Sequence, residues 1–119
     1  DVVFQQVPVR TNSAGLRGGE LSAEKPQGTK RILGLGDSIM FGWGVKEEES
    51  YLRVSEEILR ERGVQVETIN CAVPGYNTTM EVTRLKKRCL RYDPDVIVLH
   101  FVNNDFDVPY FMLKPASPW

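Results

Sequence analysis

Several things are scarce in this chain, and each scarcity narrows its function. There is no surplus of basic charge: 15 Lys and Arg stand against 16 Asp and Glu, for a formal net charge of -1, which argues against a dedicated nucleic-acid binder. There is no long apolar run. The longest, Val96 to Val102, is strand-sized and far below the roughly 18 to 20 residues that a membrane span requires. The two cysteines, Cys71 and Cys89, are too few for a disulfide framework and lack metal-ligand spacing, so two buried thiols are expected. The single histidine, His100, leaves little choice of general base. Residue 1 is Asp rather than Met and no basic-then-apolar leader follows it, so the expectation is a chain with N-terminal sequence removed, or a fragment.

What is present fits one globular domain: 119 residues, 41% hydrophobic and 26% charged, with neither repeats nor low-complexity tracts. Residues 1 to 29 are rich in turn formers, as in Thr11-Asn12-Ser13-Ala14-Gly15-Leu16-Arg17-Gly18, and read as an irregular lead-in lying over the surface. The domain proper is expected over residues 30 to 119. Its first strand, about Arg31 to Leu35, breaks into Gly36-Asp37-Ser38. A helix follows, with Tyr51, Val54, Ile58 and Leu59 as its apolar face and Glu56 and Arg60 as a solvated pair.

Val64 to Ala72 reads as a second strand, halted at Pro74-Gly75. A second helix begins near Thr78, where Thr78 and Glu81 have capping-box spacing; Val82, Leu85 and Cys89 make its apolar stripe. Asp95 to Val102 is nearly continuously apolar, which predicts a central parallel strand buried on both faces. Strand, helix, strand, helix, strand predicts a parallel sheet covered by helices. Crowding of Gly34, Gly36, Gly42 and Gly44 raises a nucleotide site, but Ile39 stands where a dinucleotide fingerprint has its third glycine and no phosphate-loop Lys follows.

Parallel strands point one way, so the residues just after each collect along one edge: Ser38, then Gly75, then Asn103, Asn104 and Asp105. Ligands bind at that edge in open α/β sheets. A hydroxyl, a glycine N–H and a side-chain amide suit acyl transfer, in which attack on an ester carbonyl creates an oxyanion that fixed donors stabilise. Phe41, Trp43, Tyr76 and Phe106, with Tyr110, fall on the same loops and are candidates to line an acyl or sugar pocket. Asp37 and Asp105 are expected to accept backbone N–H bonds and hold their turns.

These residues resemble the SGNH hydrolases, the GDSL-type esterases and lipases. Gly36-Asp37-Ser38-Ile39 is similar to that family's first block, Ala72 to Thr78 to its glycine block, and Val102-Asn103-Asn104-Asp105 to its Gly-x-Asn-Asp block, with Val102 in place of Gly. Asn12 to Gly18 is similar to a lead-in seen in many bacterial members. The resemblance implies a three-layer α/β/α, flavodoxin-like fold. It also implies Ser38 as nucleophile and first oxyanion donor, Gly75 and Asn104 as the other donors, no metal or cofactor, and a small-molecule or carbohydrate ester as substrate.

The family's Asp-x-x-His block, source of the general base, has no counterpart in these residues. A serine hydroxyl needs such a base. His100 lies four residues before Asn104, roughly 13 Å along a strand at about 3.3 Å per residue, and reads as a packing histidine. The chain is therefore expected to be the N-terminal portion of an ester hydrolase, with the base beyond Trp119. Two alternatives stay open, an acyltransferase using the same site and a binding module that keeps the fold without catalysis. The residues specify neither the ester nor the oligomeric state.

Overall fold

Alternation along one strand decides how the sheet is covered. The computed structural model describes residues 2–4 and 6–106, excepting the side chains of Val2, Phe4 and Asn104; the expectations for Asp107 and Tyr110 lie outside the described residues. Strand β3, Lys30–Gly36, is central in a three-stranded parallel sheet, flanked by β4, Val66–Asn70, and β5, Val96–His100. The order β4-β3-β5 is that of the first three strands of a flavodoxin-like sheet.

Leu33 and Leu35 point to one face of β3 and pack with Ile69, Cys71, Cys89 and Tyr92. The other face carries Gly34 and Gly36, and there Met40, Phe41 and Leu52 gather with Val9 and Ala72. The glycines are a packing requirement. A Cβ on Gly34 would lie 2.5 Å from Met40 Sδ and 2.9 Å from Leu52 Cδ2, and one on Gly36 would lie 2.8 Å from Met40 Cβ. They admit the one-turn helix α1, Ser38–Phe41, and the helix α2, Tyr51–Glu61, onto the sheet, which accounts for Gly34 and Gly36 among the crowded glycines.

The structure corrects several expectations. The lead-in is not simply irregular: β1, Val2–Phe4, and β2, Val7–Val9, form an antiparallel hairpin. Nor does it only lie over the surface, since Val9, Leu16 and Arg17 are buried and Arg17 makes a bridge to Asn70. The buried Arg31 fastens the rest of it, donating to the carbonyls of Ser22, Ala23 and Glu24 and pairing with Glu67.

On α2 the buried positions are Leu52 and Glu56, whereas Tyr51, Val54 and Ile58 are about 40% exposed. Glu56 is no solvated partner: it accepts from Thr68 N at 2.7 Å and pairs with both Arg53 and Arg60, tying α2 to β4. A carboxylate can be buried there because each oxygen meets a cation or an N–H. β5 lies at an edge of the described sheet with Val96 to Leu99 exposed, because nothing among the described residues covers it.

The two cysteines are not thiols. Cys71 and Cys89, both fully buried, form a disulfide joining the end of β4 to the helical segment begun by α3, Thr78–Arg84, which continues as a π turn, Leu85–Cys89, and a 3-10 turn, Leu90–Tyr92. No described helix is long and apolar enough to cross a membrane.

Candidate active site

Gly36 is where the three strand ends meet. It pairs with His100 in the β3–β5 register, and its carbonyl accepts from Val73 N at 3.1 Å. Ser38 lies two residues beyond Gly36, Gly75 two beyond Val73, and Asn104 four beyond His100, on the 3-10 turn Asn103–Phe106. The chain passes from β3 to β4 on one side and then to β5 on the other, so the crevice outside these ends is a topological switch point.

Ser38 is the first residue of α1. Asp37 caps it, its Oδ1 accepting from Ile39 N at 2.9 Å, which leaves Asp37 Oδ2 3.5 Å from Ser38 Oγ. That separation is long for an O–H···O bond, and the observed role of Asp37 is to organise the turn. Gly75, at φ +81°, occupies the left-handed region that glycine favours, and its missing side chain faces open space. Asp105, buried, accepts from Val102 N at 2.7 Å through Oδ2 and so closes the turn carrying Asn104.

A groove of about 420 Å³ opens beside Ser38, lined by Ile39, Trp43, Val45 and Tyr51, a size that suits a small ligand. Of the four aromatic candidates, Trp43 alone lines it. Phe41 points into the core, since it sits at the inward position of α1. Tyr76 lines a different hollow over α3 with Met80 and Arg84. Phe106 is exposed and meets Phe101 edge to face.

His100 ends β5 instead of lying within a longer strand, because the chain turns at 103–106; the extended rise toward Asn104 does not apply. Its Nδ1 is 2.9 Å from the Tyr51 hydroxyl. That phenol, pushed up to about 12 by burial and then by Asp37, stays protonated across the neutral range. Among the described residues, Ser38 Oγ meets no imidazole, and no group of three His, Cys, Asp or Glu could hold a metal.

Behind the site lies Glu81, whose spacing from Thr78 is that of a capping box. Asn77, not Thr78, caps α3 by accepting from Met80 N at 3.1 Å, so Glu81 has no capping duty and turns inward. It is fully buried, and among the described residues both its oxygens are unpartnered. Burial first, then Asp105 and Asp37, push it up from 4.5 to about 7. Between those values the folded state keeps a proton that the unfolded state has released, so stability falls as pH rises through the window and the loss is complete above about 7. Glu81→Gln, which carries no titrating proton, is expected to flatten this decline between pH 5 and pH 8, read as urea midpoints; an unchanged slope would show that Glu81 is ionised in the fold.

Three comparisons with known proteins bear on this geometry. The profile of the GDSL-like Lipase/Acylhydrolase family matches residues 35–117. An arylesterase of Vibrio mimicus is 29% identical over 79 residues, covering 66% of this chain and 40% of the relative. Among solved structures, the SGNH-hydrolase family esterase AlinE4 superposes with a TM-score of 0.56 at 29% identity, over 68% of this chain and 44% of that one. TesA superposes with a TM-score of 0.59 at 21% identity, over 64% and 42%, a likeness of fold. The chain thus spans less than half the length of these relatives.

Proposed function

The chain belongs to the GDSL-like lipase/acylhydrolase family, and from that premise we propose that it is the nucleophile-bearing portion of a serine ester hydrolase. The observation that carries this reading is the meeting of three strand ends at Gly36, with a serine, a left-handed glycine and an asparagine turn just beyond them. In the proposed reaction Ser38 Oγ attacks the ester carbonyl and loses its proton to a base. The oxyanion is held by the N–H groups of Ser38 and Gly75 and by Asn104 Nδ2. Collapse of the intermediate expels the alcohol, protonated by the same base, and water then hydrolyses the acyl-serine.

The base proposed for this step is the family's Asp-x-x-His block, which has no counterpart among the described residues, where the imidazole of His100 is engaged by Tyr51. Val96 to Leu99 of β5, with Tyr51, Val54 and Ile58, expose apolar surface; isolated residues of this kind are ordinary, but a contiguous strand of them is a face suited to contact with further protein. The groove beside Ser38 is the place for the acyl or sugar group of the ester, acetyl esters of carbohydrates included. The test is hydrolysis of p-nitrophenyl acetate, butyrate and octanoate by the full-length protein: turnover of at least one of them is expected, and a folded protein that turns over none of them contradicts the proposal.

A further inference from the structure

In the sequence Arg17 belongs to a string of turn formers and to the family-like lead-in, with no role assigned to it, yet it is buried against the turn that presents Ser38. Its Nη1 donates to Phe41 O at 2.7 Å and also to Gly42 O, its Nη2 donates to Val45 O, and its guanidinium lies 5.0 Å from the centre of the Phe41 ring. Asn70 completes the set: its Nδ2 donates to Met40 O and Phe41 O, each at 3.2 Å, and its backbone bridges to Arg17.

α1 is a single turn, so its last carbonyls have no partners within the helix. A cation at a helix C-terminus meets the negative end of the backbone dipole. Arginine presents five donors in a planar fork that reaches carbonyls spread several ångströms apart, whereas the three donors of lysine radiate from a single atom. The close approach also fits Gly42, whose φ of +84° needs glycine and where a Cβ would fall 2.7 Å from Arg17 Nη1. Burial lowers the pKa of Arg17, while Glu47 and Glu48 act to raise it.

We propose that Arg17 is a positioning residue for Ser38: by fixing the carbonyls of Phe41, Gly42 and Val45 it sets the angle at which α1 presents the serine hydroxyl and N–H. This rests on the hydrolase reading above. In the full-length protein Arg17→Ala is expected to lower kcat about 10²-fold, the loss that a misplacement of about 1 Å produces, with KM within twofold of wild type and with activity recovered on adding guanidinium ion. Arg17→Lys, which keeps the charge and loses the fork, is expected to fall between, and it serves where the alanine variant does not fold.

The control is Arg31→Lys, at a buried arginine near the opposite end of β3; its melting temperature should fall while kcat, measured well below the transition, stays at the wild-type value. A folded Arg17→Lys with wild-type kcat, or an Arg31→Lys that loses as much kcat as the Arg17 variants, overturns the proposal. A wild-type protein with no ester turnover instead removes the hydrolase reading itself.

Discussion

Ser38→Ala in the full-length protein is expected to remove ester hydrolysis almost entirely, with a loss in kcat on the order of 10⁶, the size seen when the nucleophile of a serine hydrolase is deleted. The size follows from the chemistry. Without the hydroxyl no acyl-enzyme forms, and the oxyanion donors that remain can assist only direct attack by water. The fold should tolerate the change, since Ser38 is only half-buried and the cap of α1 comes from Asp37. His100→Gln provides the contrast: kcat is expected to stay within a few-fold, because the imidazole is engaged by Tyr51. Steady-state kinetics on both variants decides the matter, and a His100→Gln loss matching that of Ser38→Ala would make His100 the base.

The second large effect concerns stability. The Cys71–Cys89 disulfide closes a loop of 18 residues, and loop-closure entropy assigns such a crosslink about 3 kcal/mol, a large share of a typical domain's 5 to 15 kcal/mol. The paired Cys71→Ser, Cys89→Ser protein is expected to lose about that amount in urea titration. Because both sulfurs are buried, reductant should act on the native protein slowly and on the unfolded protein at once. Cys71 stands four residues before Gly75, so the crosslink is also expected to steady the turn that carries the proposed second oxyanion donor. Thiol titration of the denatured, unreduced protein should find no free thiol; two would contradict the bond.

The strand order and the placing of three turn segments beyond the strand ends were legible because their signals are local: an apolar run ending in glycine, a Pro-Gly turn, an asparagine pair after a strand. What escaped was set by contacts distant in sequence. Glu56 and Arg60 have the spacing of an exposed pair, and only the approach of Thr68 on β4 buries the glutamate. Glu81 matches a capping box until Asn77 takes the cap. Spacing cannot distinguish two separate buried thiols from a disulfide, and the pairing of Cys71 with Cys89 depends on how the helical segment after α3 returns along β4. Arg17 stood in a lead-in that resembled the family's but carried no sign of its role, because its partners lie 24 to 28 residues away.

The central claim is that Ser38 is an activated nucleophile, and its most direct test is covalent labelling. The full-length protein, treated with a fluorophosphonate and digested, should carry one phosphonyl group on the peptide containing Ser38, and the Ser38→Ala protein should carry none. Labelling that persists in Ser38→Ala, or a folded wild-type protein that takes up no label, would contradict the account.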